Sequence, residues 1–196
     1  RRDAAAGRAV ALLMKTRDRI VVTALSQFNE HGYGAVTTAA LASECGIAEG
    51  NLWYHFKTRA ALLDAIGERF AAAIEARLAM RPGGDPLDDY AALMATVMAE
   101  FREFRFLYRD QQAYGEEAAT IRANAPRWLE ATFGQIESHL AALVDAGLLD
   151  WPRERLRDLA INATIILRYG LEHYRELGEP IGEGSGGVRR TLKRHL

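Results

Sequence analysis

This chain of 196 residues is poor in several features, and each shortage narrows what it can be. Its single cysteine, Cys45, cannot form an intramolecular disulfide, and beside Gly46 it is expected as a small buried residue near a turn rather than a redox centre. No apolar run is long enough to cross a membrane. The opening RRDAAAGRAVALL has a paired arginine but only a short alanine-rich stretch, followed by Lys15, Arg17 and Arg19 without a cleavage site. That pattern fits a flexible arm or upstream extension over residues 1–15 better than a signal peptide, with MKTRDRI from Met14 looking like a natural start. Excess charge of one sign is also missing, since the net charge is -1, so a nucleic-acid partner would have to meet positive charge gathered on one face. HExxH, paired CxxC, GxSxG and P-loop patterns are absent, and His31, His55, His139, His173 and His195 are scattered. No catalysis, metal or cofactor is expected. The two-residue alternation of a strand is nowhere to be found, so the fold is expected to be all-α.

What is present is helical periodicity. Ile20, Ala24, Leu25 and Phe28 recur at three- and four-residue spacing from Thr16, and Gly32 and Gly34 close that helix. Leu62, Leu63, Ile66, Phe70 and Ile74 mark a long helix ending before Arg81-Pro82-Gly83-Gly84. Asp85-Pro86 starts another by cap and first-turn proline, with Tyr90, Leu93, Met94, Val97, Met98, Phe101 and Phe104 as its apolar face. Pro126 is expected to open the next, with Leu129, Phe133, Ile136, Leu140 and Leu143 as its stripe and Gly147 as its stop. Pro152 opens the last long one, to about Leu177. Between Leu159 and Leu171 only Arg168 is charged, and Ile165 and Tyr169 spread beyond the stripe one core needs. The surplus suits a second subunit. Gly182, Gly184 and Gly187 match GxGxxG formally but follow a helix, so they read as a flexible linker to a basic terminal helix and not as a dinucleotide site.

The stretch from Thr37 to Arg59, TTAALASECGIAEGNLWYHFKTR, carries the functional signal. Ala42, Gly46, Ile47 and Leu52 have the spacing of a helix-turn-helix: a small residue where the helices cross, a glycine for the turn, and two apolar anchors. Outward on the second helix stand Glu49, Gly50, Asn51, Trp53, Tyr54 and His55, able to meet bases and phosphates in a major groove. Thr37 is an expected N-cap, and Thr37 or Thr38 can also donate to a phosphate. Over residues 1–59 eight basic residues face five acidic ones, a modest positive footprint.

Thr37-Thr38, Ala42, Cys45-Gly46-Ile47 and LWYHFKTRAALL together resemble the tetracycline-repressor (TetR/AcrR) family of bacterial regulators, and FRFLYRD resembles a segment of some members' ligand domains. The resemblance implies a DNA-binding domain over 16–60 and a helical regulatory and dimerisation domain over 61–196. It implies a cytoplasmic homodimer, each recognition helix (about Ala48 to Phe56) entering a major groove of a palindromic double-stranded operator. Glu49, Gly50 and Asn51 would approach bases, while Thr37, Trp53, Tyr54, His55, Lys57 and Arg59 would hold the backbone. Asn51 suits adenine; Glu49 suits cytosine N4 or merely the helix dipole. Glu49 and Ala48 depart from the family pattern, which favours uncharged or basic residues and a hydroxyl there. The likeness also implies a pocket for an apolar small-molecule effector, for which Met94, Met98, Phe101, Tyr108, Trp128, Thr132, Phe133, Asn162, Ile165 and Tyr169 are candidates, each also a candidate for plain core. Against this stands an all-helical binding or scaffold protein whose helix-turn-helix does not read DNA.

Overall fold

The computed structural model describes residues 15–182 together with 186 and 190; the N-terminal arm to residue 14 and most of the glycine-rich and basic C-terminal stretch lie outside it. Among the described residues there are helices and no strand. Nine α-helices follow in order: α1 (Thr16–His31), α2 (Thr38–Glu44), α3 (Glu49–His55), α4 (Arg59–Leu78), α5 (Pro86–Glu103), α6 (Arg105–Arg109), α7 (Gln111–Tyr114), α8 (Ala119–Asp145) and α9 (Leu156–Glu176). Single 3-10 turns, Gly115–Ala118 and Arg153–Arg155, precede the last two.

Local chemistry sets most of the boundaries. Thr37 caps α2 by accepting from the Ala40 N–H at 3.1 Å, and Thr58 caps α4 in the same way through Ala61. Asp85 accepts from Leu87 and Asp88 at the start of α5, where Pro86 has no N–H to satisfy. At the end of α2, Gly46 adopts φ +65°; its N–H reaches Ser43 and the Ile47 N–H reaches Ala42, which satisfies two otherwise orphaned carbonyls and turns the chain sharply.

One boundary differs from expectation. Pro126 does not open α8; the helix begins seven residues earlier, at Ala119, with the proline inside it. Ile121 packs so closely on α4 that a Cβ built on Gly67 would lie 3.1 Å from its Cγ1, and this contact sustains the turn upstream of the proline. Pro126 and Arg122, whose carbonyl loses its partner, both sit on the solvent side, so water can serve that carbonyl. The inward stripe is consequently Trp128, Thr132, Gln135, Ile136, His139, Leu140 and Leu143, with Leu129 turned partly outward.

Two cores result. The first runs from α1–α4 without interruption into α6, α7 and the start of α8, and it buries Cys45. The second lies between α5, α8 and α9.

Candidate nucleic-acid interface and effector cavity

Residues 37–59 form the expected hairpin of helices. Leu52 is fully buried and Ile47 packs against the same core, so the rest of α3 faces out. Gly50, Asn51 and Tyr54 are exposed, Tyr54 at 73 %. Lys57 Nζ stands 5.5 Å from the Tyr54 ring centroid and His55 lies edge-on to it, so the three side chains form one cationic and aromatic cluster. Ala48 precedes α3 without a side-chain cap. Glu49 occupies the first turn in its place, and the Thr38 hydroxyl donates to its carboxylate at 2.7 Å, tying the starts of α2 and α3 together. Two candidates for DNA contact are thereby paired with each other.

Two other candidates turn inward. Trp53 is half-buried against the head's core. The Arg59 guanidinium donates to the carbonyls of Val36 and Tyr33 and lies 4.1 Å over the Tyr33 ring, so it fastens the start of α4 to the loop between α1 and α2. From sequence, a base that follows WYHFKT looks like a backbone clamp; only the folded chain shows carbonyls within its reach.

The segment FRFLYRD joins this head to the remaining helices. The last carbonyls of α1 need donors, and α6 provides them: Arg109 donates to Phe28 O at 2.8 Å and to Asn29 O at 2.9 Å. The Asn29 side chain donates to Glu103 O at 2.6 Å and accepts from the Phe106 N–H at 2.9 Å. Asp110 accepts from the Tyr33 N–H at 2.8 Å and pairs with Arg109 at 2.6 Å. Burial would raise the Asp110 carboxyl, but these partners hold it below the usual carboxylate range. Burial and a bond to Glu117 push the Tyr33 hydroxyl up to about 12, so it stays a donor.

Immediately beside this latch, at the seam of the two cores, lies a cavity of about 110 Å³. Of the ten expected residues, Phe101, Tyr108, Trp128 and Thr132 line it. Met94 and Met98 are packed inside the second core, and Phe133 lies at its edge beneath the Arg157 guanidinium. Asn162, Ile165 and Tyr169 occupy the outer face of α9, because Ala160, Ala163, Thr164, Leu167 and Leu171 take its inward positions.

Sequence reasoning missed the cavity's charged residues. Arg77 and Glu100 are buried, 3 % and 7 % exposed, and paired at 2.8 Å. Arg77 also donates to Gln135 at 2.8 Å and to Thr132 at 2.9 Å. Burial pushes the Glu100 carboxyl up, with Arg77 opposing it. A signal existed: Arg77 continues the inward register of Phe70 and Ile74, where a charge without a buried partner would be costly. A wider hollow of about 470 Å³ opens from the cavity toward solvent and shares Gln111, Ile121, Ala125 and Leu129 with it.

Comparison with known proteins agrees with this arrangement. Residues 20–66 match the model of bacterial regulatory proteins of the tetR family, and residues 69–194 match that of the TetR bacterial transcriptional repressor. The chain is 30 % identical over 131 residues to the tetracycline repressor protein class C of Escherichia coli, a match covering 67 % of this chain and 54 % of that one. It spans about half the length of the curated relatives it matches. A TetR-family regulator from Marinobacter aquaeolei has the same fold, with TM-score 0.73 and 24 % identity over 83 % of this chain and 81 % of the other. So does AibR, solved in complex with isovaleryl coenzyme A and operator DNA, with TM-score 0.61 and 15 % identity over 92 % and 95 %.

Proposed function

Because the chain belongs to the tetR family of bacterial regulatory proteins, and is thus a transcriptional regulator with a DNA-binding helix-turn-helix, we propose that it is an effector-released repressor acting as a homodimer on a palindromic operator in the bacterial cytoplasm. In this reading residues 16–60 bind DNA and residues 61–196 bind the effector and the second subunit. The recognition helix presents Gly50 and Asn51 to bases, while Tyr54, His55 and Lys57 hold phosphates. Thr37 and Thr38 lie at the start of the supporting helix, where donors to a phosphate belong. The surface for the partner subunit is the outer stripe of α9, where Ile165 and Tyr169 are 50 % and 58 % exposed.

One observation carries the coupling: Tyr108 lines the cavity while its neighbours Arg109 and Asp110 grip the end of α1 and Tyr33. An effector that displaces Tyr108 must work against that grip, so it favours a different seating of the head. It lowers operator affinity by the ratio of its affinities for the two seatings.

The test is a gel shift on DNA upstream of the protein's own gene, at several salt concentrations. Wild type should shift it, and Tyr54→Ala and Lys57→Ala should each weaken binding about tenfold without changing thermal stability. An unshifted probe at every low salt concentration would favour the scaffold reading. Any compound that raises thermal stability should also release the probe; tight binding with operator affinity unchanged would defeat the effector role.

A further inference from the structure

The cavity's donors are unevenly occupied. Arg77 is fully committed, to Glu100, Gln135 and Thr132, and its charge is neutralised by Glu100. Two other groups of the lining, one on α8 and one on α9, are not. Trp128 is 6 % exposed, and its Nε1 is buried without a hydrogen-bond partner among the described residues. The Phe70 ring, 5.4 Å away and 82° to the indole plane, is at most a weak partner. Arg168 also lines the cavity; its guanidinium lies 5.0 Å from the Tyr108 ring centroid and 5.3 Å from that of Tyr169, and its Nε is likewise buried without a hydrogen-bond partner. A buried donor left without a partner is unfavourable, and more so when the group is charged. The remaining lining is aromatic and aliphatic, notably Phe70, Ile74, Phe101 and Ile121.

Resting on the effector reading above, we infer that the effector is a small aromatic carboxylate, its ring among Phe70, Phe101 and Ile121 and its carboxylate accepting from Trp128 Nε1 and the Arg168 guanidinium. Two features of the site select this class. With Arg77 and Glu100 cancelling, Arg168 leaves the cavity one positive charge in excess, which favours an anion over a neutral isostere. Two separate orphan donors can be met together by a group with two acceptor atoms, as a carboxylate has. At about 110 Å³ the cavity alone is smaller than the roughly 150 Å³ that holds one benzene ring, so the ligand must extend into the wider hollow of about 470 Å³ that shares Gln111, Ile121, Ala125 and Leu129 with it. The wider hollow at Gln111 and Leu129 is the route in, and it accommodates substituents on the ring.

The purified full chain is titrated at neutral pH with benzoate, phenylacetate and salicylate, and with the matched benzamide and phenylacetamide. Melting temperature and tryptophan fluorescence are the readouts. At least one acid should bind and raise the melting temperature, about tenfold or more tighter than its amide. Arg168→Gln should erase that preference, with acid and amide binding alike; Arg168→Lys should keep part of it. Trp128→Phe, which retains an aromatic ring, should weaken the acid about threefold or more while leaving the amide's affinity little changed. Amides binding as tightly as acids, a folded Arg168→Gln with the acid preference intact, or no acid binding at millimolar concentration would each overturn the inference. Should Arg168→Gln fail to fold, the acid-to-amide ratio of the wild type decides. Gel shifts separate this inference from its premise: an acid that binds without releasing operator DNA leaves the ligand class standing and defeats the effector role. Release by neutral compounds alone does the reverse.

Discussion

The core beneath the head gathers Phe28, Tyr33, Phe70, Phe104 and Phe106 into edge-on and tilted ring contacts at about 5 Å, whereas the core between α5, α8 and α9 is mostly aliphatic, with Leu93, Met94, Val97, Leu140, Ala163 and Leu167 and, as buried aromatics, only Tyr90 and Phe101. Ring pairs are directional, and here they are supplemented by side chains that seize backbone carbonyls, as Arg59 and Arg109 do. Aliphatic packing has no such orientation, and its two methionines adapt to small shifts. The contrast predicts a head more rigid than the helices behind it. The polar network and the cavity lie where these two materials meet, which is where an inserted molecule changes their fit most.

The largest expected effect is at that seam. Glu100→Gln leaves Arg77 buried without its counter-charge and should destabilise the protein by about 3 kcal/mol, measured by urea unfolding. Replacing the pair together, as Arg77→Met with Glu100→Leu, should recover most of the loss. A single substitution costing under about 1 kcal/mol would mean that water already reaches the pair and that the seam binds the cores loosely.

Next come the cores themselves. Phe28→Leu removes a ring in contact with Tyr33, Phe106 and Arg59 and should cost about 2 kcal/mol. Leu93→Met, in the other core, should cost less than about 1.5 kcal/mol. Equal losses would erase the contrast between directional and adaptable packing. Asn29→Ala removes two hydrogen bonds of the latch and should cost about 1–2 kcal/mol. Its sharper signature is functional: the variant should still shift operator DNA yet respond more weakly to whichever compound releases the wild type. A full response would show that coupling travels by another path.

The smallest effect is acidic. The folded-state carboxyl of Asp110 titrates below the usual range, so its contribution is present above an unfolded value of about 3.9 and fades as pH falls below about 4. Wild type should accordingly lose more melting temperature than Asp110→Asn between about pH 5 and about pH 3. Parallel curves would remove Asp110 from the latch.

The elements whose signals are local were legible in the sequence. Thr37, Gly46 and Asp85-Pro86 act on backbone groups within a few residues, so their identity and spacing announce the cap or turn. Pro126 misled because the start of α8 is decided by Ile121 meeting Gly67, more than fifty positions away in the chain. The helix-turn-helix was readable as a whole, but the inward turn of Arg59 depended on where the Tyr33 and Val36 carbonyls came to lie. The cavity was legible only in part. Periodicity tells which face of a helix points inward but not whether the space opposite is filled, so Met94 and Trp128 look equivalent in sequence and differ in the fold.

The clasp that Arg59 makes at the head of α4 has a mechanical consequence. With 20 residues, α4 is a rod about 30 Å long, clasped at one end to the loop between α1 and α2 that leads into the helix-turn-helix, and carrying Phe70, Ile74 and Arg77 at the cavity toward the other. A tilt of about 5° about the cavity end would swing the clasped end by about 2.6 Å, close to the full length of a hydrogen bond. With little slack at the joint, a displacement too small to disturb either core is magnified at the head into one large enough, on the proposed function, to move Tyr54 and Lys57 off a phosphate.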